Sequence, residues 1–364
     1  MGWIVELLFV SFLLWAFAKL VLAGEDLSRF DKPAPEPLTR EPSPAYAASE
    51  ARLIETMRGF SGGGGPNRIA AAREAFDAFG DAVDLSGIEI RPIRIGAMRA
   101  EWVLAPGSDP ARRLLYIHGG AFMLGSPKSH RAITTRLARE AGVAVLAIDY
   151  RMAPEHRRMQ MLEDCHAAWS YILEHGPDGS AAMRQGYVAG DSAGGNLTLE
   201  LIAWARDHGV RAPDAAIALS PTTDSTFASP SIRANITTDR MLGPAIGPML
   251  KFPRTLLLWF TWITNRLRPD DARASPLRGN LAGLPPLLIQ ASTSEILRDD
   301  AIRYTNRARA AGSDVHLQLW SGLMHVWQMF DPELPESHDA YARMIEHLNR
   351  SGERDAMVAA RRAV

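Results

Sequence analysis

Gly190-Asp191-Ser192-Ala193-Gly194 constrains this chain more than any other stretch, because it joins two regular segments through a G-x-S-x-G turn. Gly186-Tyr187-Val188-Ala189 before it reads as a short buried strand, and Asn196 to Trp204 after it carries apolar residues at helical spacing. A serine on such a turn sits where neighbouring side chains would collide with backbone, hence the glycines. The turn lifts its hydroxyl above the sheet edge, where a base can reach it. An ordinary glycine-rich turn is the competing reading. The strand–turn–helix context favours a nucleophile at Ser192.

A second element lies upstream, where the strand Leu114-Leu115-Tyr116-Ile117 runs into His118-Gly119-Gly120-Ala121-Phe122. Acyl transfer builds negative charge on a carbonyl oxygen, and backbone N–H groups aimed there stabilise it by roughly 3 kcal/mol. Glycines let the main chain approach closely. The plainer reading is a strand-to-loop turn in which His118 bonds loop carbonyls, so His118 is not taken as the catalytic base.

With these residues in hand, the chain resembles the hormone-sensitive-lipase-like family of α/β-hydrolases, which carry H-G-G-G followed by G-D-S-A-G. Ala121 stands at the third glycine, where it still offers its N–H but restricts the backbone angles. The resemblance continues through Asp149-Tyr150-Arg151-Met152-Ala153-Pro154-Glu155-His156, then Leu219-Ser220-Pro221 and Asp224, and covers roughly residues 45 to 350. It implies a serine esterase with a helical cap. The oxyanion-hole segment it assigns is Gly119, Gly120, Ala121 and Ala193, with Gly119 shaping the loop.

The other two triad members should follow in the order serine, acid, histidine. After the apolar strand Leu287–Ala291 come Glu295, Asp299 and Asp300. The resemblance aligns the family's catalytic aspartate with Glu295, and a glutamate can orient an imidazole equally well. Asp299 is the runner-up. Alternatively, both acids simply favour the first turn of the next helix. His325 lies in the loop Ser321-Gly322-Leu323-Met324-His325-Val326-Trp327, past the alternating strand Val315–Trp320, where this fold keeps its base. His316, His338 and His347 fall on a strand or helix and read as solvated or core residues. No histidine pair has metal-ligand spacing, so neither a metal nor a cofactor is expected.

Strand candidates at Ile88–Ile95, Glu101–Leu104, Arg113–Ile117, Val143–Ile148, Gly186–Ala189, Ala215–Leu219, Leu287–Ala291 and Val315–Trp320 alternate with helices after His118. The expected fold is therefore an α/β-hydrolase, a mostly parallel eight-stranded sheet flanked by helices, with a helical cap. A chain of 364 residues with 47% hydrophobic content can bury a large single core, and a net charge of −1 gives nucleic acid nothing to bind. The single cysteine, Cys165, cannot form an internal disulfide and reads as a small buried hydrophobe.

Residues 1–24 form a hydrophobic segment, broken only by Glu6 and Lys19 near the two ends of Trp3–Ala23. As a helix it is about 30 Å long, enough for a bilayer core. A membrane anchor is favoured over a cleaved signal peptide, which lacks its positive n-region and would leave a secreted or periplasmic enzyme. It is also favoured over an interfacial helix, since apolar residues surround most of the cylinder. Arg29, Lys32 and Arg40 follow the span, so the positive-inside tendency leans toward a cytoplasmic catalytic domain.

Residues 25–44 read as an extended Pro-rich linker and 45–85 as N-terminal cap helices, at Ala45–Arg58 and Asn67–Phe79, separated by Gly62–Pro66. The catalytic domain spans 86–352, and 353–364 form a C-terminal tail. An insertion at about 221–284 holds the aromatic run Phe252–Ile263 and reads as a lid over an apolar acyl or alcohol pocket. Alternatively Leu257, Trp259, Phe260 and Trp262 merely pack it onto the domain, or it rests on the membrane beside the anchor. The function expected is a carboxylesterase for short-to-medium acyl or lipid-like esters, a small-molecule substrate with the membrane as the other partner. An arylacetamide-deacetylase-like amide or ester deacetylase is the second reading. A ligand receptor on a dead hydrolase scaffold is the third, but the gibberellin receptors that resemble this family lose the histidine that stands here as His325.

Overall fold

The computed structural model describes residues 2–38, 43–61 and 68–362. Eight strands form one sheet: β1 (Glu89–Ile95), β2 (Met98–Leu104), β3 (Asp109–Ile117), β4 (Val143–Asp149), β5 (Gln185–Asp191), β6 (Ala215–Leu219), β7 (Leu287–Ser292) and β8 (Val315–Trp320). Their order across the sheet is β1-β2-β4-β3-β5-β6-β7-β8. β1 and β2 pair antiparallel at one edge, and the strands from β4 to β8 run parallel. All eight expected strands are present, some a few residues longer than expected.

Because successive side chains point to opposite faces, each strand feeds two cores. Leu115, Ile117, Leu146 and Ile148 enter one, packed by α5 (Arg158–Glu174), α6 (Ser192–Asp207) and α10 (Arg298–Ala310). Leu114, Tyr116, Val143 and Val145 enter the other, packed by α4 (Arg131–Ala141) and α11 (Pro335–Arg362). Apolar runs without alternation, such as Val143–Ile148, follow from this double covering. Cys165 lies buried in α5, as expected. The last helix runs on through most of the segment read as a C-terminal tail.

Near the N-terminus, α1 (Gly2–Phe17) continues through one π turn, Ala18–Leu22. The linker is extended but fastened. Leu38 donates its N–H to Leu319 O at 2.7 Å and accepts from Ser321 N, so it pairs with the exposed edge of β8. Asn306 holds the carbonyls of Phe30 and Pro33. The helices α2 (Pro44–Ser61) and α3 (Arg68–Asp77) follow, and the Gly62–Pro66 stretch expected to separate them lies outside the described residues. The side chain of Leu53 packs with Phe76 and Phe79 into the second core. Between β6 and β7 the insertion folds as α7 (Ser231–Ala234), α8 (Leu242–Leu250) and α9 (Arg254–Asn265), standing over the carboxyl ends of the strands.

Candidate active site

Ser192 occupies the turn from β5 into α6 with φ +52°, a left-handed conformation that a serine adopts at a cost of about 1–2 kcal/mol. The turn closes because its neighbours are glycines. A Cβ on Gly194 would stand 2.0 Å from Ile117 O, and one on Gly190 would stand 2.5 Å from Gly194 O. The register pairs Ile117 with Gly190, which brings the end of β3 and its glycine loop beside the serine.

Ser192 Oγ donates to His325 Nε2 at 2.9 Å, and His325 Nδ1 donates to Glu295 Oε2 at 2.6 Å. The other oxygen of Glu295 accepts the Ser292 N–H at 2.6 Å, which locks the carboxylate at the end of β7. All three groups are almost fully shielded from solvent. Burial alone would lower the His325 pKa; the hydrogen bond and charge of Glu295, with Asp239 and Asp191 beyond, outweigh it and hold the imidazole above its ordinary value. The cap fixes the acid loop from the other side. Asn235 donates its amide to Thr293 O and Glu295 O, and Asp239 accepts the Ile296 N–H while capping the start of α8.

Asp299, the runner-up acid, faces elsewhere. Its carboxylate accepts the Ser231 N–H at 2.8 Å and pairs with Arg298, so it fastens α7 and does not reach the imidazole. Asp300 is buried under the cap, where it accepts the N–H groups of Thr223 and Asp224 and the hydroxyl of Ser229. Of the other histidines, His316 pairs with Asp314, His338 with Asp331, and His347 bonds Ala216 O. Among the described residues no group of three or more His, Cys, Asp or Glu is arranged to hold a metal.

The glycine loop requires one correction. Gly119 donates its N–H to Asp191 Oδ1 at 3.0 Å, so it cannot point at an oxyanion. Among the described residues nothing accepts from the N–H of Gly120 or Ala121, whose φ angles of +110° and +55° turn the loop over Ser192. Ala193 adds an N–H in the first turn of α6, which has no intrahelical acceptor. Asp191 is the tie that sequence reasoning missed, although it sits inside the elbow motif. Its carboxylate also accepts the Tyr116 hydroxyl at 2.7 Å and lies 3.3 Å from His130 Nε2. Burial opposes its ionisation, but His130, Tyr116 and His118 outweigh that and hold its pKa below the usual range. His118 plays the structural part expected of it. Its ring contacts Gly119 O at 2.8 Å, its carbonyl accepts the Tyr150 hydroxyl, and burial first, then His130, lowers its pKa to about 3.

Above Ser192 opens a cavity of about 670 Å³. Phe122 from the glycine loop, Ile232, Leu242, Ile246 and Met249 from α7 and α8, and Phe260 from α9 give it apolar walls. The aromatic run of α9 is thus divided: Phe260 lines the cavity, Leu257 packs inward, and Trp259 and Trp262 turn to the N-terminal helix.

Residues 114–329 match the family described as the alpha/beta hydrolase fold. An acetyl-hydrolase of Streptomyces hygroscopicus is 37% identical over 279 residues, which is 76% of this chain and 86% of that protein. An esterase of Acinetobacter venetianus is 34% identical over 260 residues, 71% of this chain and 81% of that one. The crystal structure of an esterase from the bacterial hormone-sensitive lipase family superposes with a TM-score of 0.72 at 32% identity, covering 86% of this chain and 99% of that chain.

Proposed function

Since the chain belongs to the α/β-hydrolase family, in its hormone-sensitive-lipase-like branch, and is a carboxylic ester hydrolase, we propose that Ser192, His325 and Glu295 are its catalytic triad and that it cleaves short-to-medium acyl or lipid-like esters through an acyl-enzyme. The observation that carries this reading is the unbroken bond line Ser192–His325–Glu295 beneath two uncommitted loop N–H groups.

His325 Nε2 takes the Ser192 proton as Oγ attacks the ester carbonyl, and Glu295 stabilises the imidazolium. The N–H groups of Gly120, Ala121 and Ala193 receive the developing oxyanion. The imidazolium then protonates the departing alcohol, and water, deprotonated by the same ring, releases the acid. The cavity's apolar walls suit the acyl or alcohol chain. Replacing Ser192 by Ala should abolish turnover of p-nitrophenyl esters in a folded protein; retained turnover would refute the assignment.

A second reading is a deacetylase of amides or esters, and the acetyl-hydrolase among the relatives supports acetyl as the group removed. Side-by-side rates on acetanilides and on the matching phenyl acetates separate the two.

The N-terminal helix, as the span Trp3–Leu22, is long and apolar enough to cross a membrane, and we take it as a retained anchor. Its C-terminal end supports retention over cleavage. Ala18, Leu22 and Ala23 pack on Leu258 of the cap, and Phe17 stacks on Trp259 and Trp262 at 5.4 and 5.6 Å.

A further inference from the structure

The anchor is docked on the cap, and the surface beside it is apolar. At about 100° per residue, Leu256, Phe260 and Ile263 fall within roughly 60° of one another on α9. They are 54%, 56% and 58% exposed, and Phe252, just before the helix, is 58% exposed. Trp259 and Trp262 occupy the adjoining sector and hold α1, with Trp259 Nε1 donating to Leu14 O at 3.2 Å. Leu257, Leu258 and Thr261 point the other way and are buried. The exposed stripe and the bare flank of α1 thus form one continuous apolar surface. Cations stand at both ends of the stripe, Lys251 before it and Arg266 after it, both exposed. The C-terminal end of the stripe is also the rim of the catalytic cavity, since Phe260, Ile263, Thr264 and Arg266 line that cavity, whereas Phe252 and Leu256 lie outside its lining.

We infer that α9 and Phe252 seat the cap on an anionic bilayer surface at the point where α1 enters the lipid, so that the cavity opens onto the membrane and takes bilayer-dissolved carboxylic esters. A tether alone would leave the mouth pointing anywhere. The docked helix fixes its direction, because α1 and the stripe share one side of the molecule. An apolar stripe rimmed by cations suits the headgroup–acyl boundary of an anionic leaflet. The inference rests on the anchor and esterase readings above, and its test separates them.

The full-length chain carrying Leu256→Cys is labelled with an environment-sensitive fluorophore, which the buried Cys165 leaves to the introduced thiol. The labelled protein is reconstituted into phosphatidylcholine vesicles with and without phosphatidylglycerol. The expected result is a blue-shifted emission quenched by brominated acyl chains, stronger with phosphatidylglycerol. A label at the exposed Ser180, in the short hairpin strand Gly179–Ser180 ahead of β5, should stay unquenched. Equal, water-like emission from both positions in reconstituted protein would overturn the seat. In parallel, Phe252→Glu with Leu256→Glu should lower turnover of a long-chain ester dissolved in the vesicles by about tenfold while leaving soluble p-nitrophenyl acetate unchanged. Unchanged turnover of both esters would count against the seat. A parent chain inactive on both would sink the esterase reading instead, and the quenching would still report the surface.

Discussion

Glu295 reaches His325 from the end of β7 because its longer side chain folds back onto the Ser292 N–H, leaving one oxygen for the imidazole. Glu295→Gln should therefore lower kcat by roughly 10³-fold or more with the fold intact. Asp299→Asn should leave the rate nearly unchanged and cost about 1–3 kcal/mol of stability, read by chemical denaturation, because it loosens the Ser231 contact. The raised pKa of His325 sets a pH signature. The base works neutral, so kcat/KM should rise with pH through a midpoint above about 6.5, and a midpoint at or below that value would contradict the Glu295 contact. Ser192 and His325 are legible in the sequence, since a glycine elbow and a loop past the last strand each carry a local signal. The choice between Glu295 and Asp299 has no such signal, because it depends on where the turn after β7 points each carboxylate. Gly119 is excluded as an oxyanion donor for a related reason: which N–H of a glycine loop stays open is decided by Asp191, more than seventy residues away.

The cap is joined to the sheet by buried polar contacts as well as apolar ones. Asp300 sits beneath it, and burial first, then the Asp224 charge, raises its pKa to about 7. A carboxyl with a raised folded pKa favours the fold fully below its ordinary value of 3.8, and that contribution is lost as pH rises through about 7. Thermal stability of the parent chain should fall over the upper part of this window. Asp300→Asn should flatten the profile, since its amide oxygen can accept from Thr223 and Asp224 and its NH₂ can donate to Ser229. An unaltered profile in this variant would remove Asp300 from the account. The strands were legible as elements because doubly covered strands are apolar throughout, as in Val143–Ile148. The fastening of the linker was not, because the pairing of Leu38 with β8 depends on register and leaves no local pattern in a proline-rich stretch.

At the scale of the whole molecule, the N-terminal helix proposed above as the anchor is also a structural part, packed on the cap. Deleting residues 1–24 should release the protein from the membrane fraction and expose Leu258, Trp259 and Trp262. The loss of that packing is worth roughly 2–4 kcal/mol and should lower Tm by several degrees in detergent-free buffer. An unchanged Tm would mean that the helix tethers without packing. Hydropathy alone reveals that Trp3–Leu22 can span a bilayer, and the aromatic run of α9 reveals an apolar cap. That the two meet through Phe17 and Trp262 is a tertiary fact that neither segment encodes separately.

The most direct measurement is mass spectrometry of the full-length protein after reaction with a fluorophosphonate. The adduct should appear on the Ser192 peptide alone, in step with loss of esterase activity, and should be nearly absent in His325→Ala. Full esterase activity in protein whose Ser192 carries the phosphonate, or an adduct formed equally fast without the imidazole, would contradict the triad.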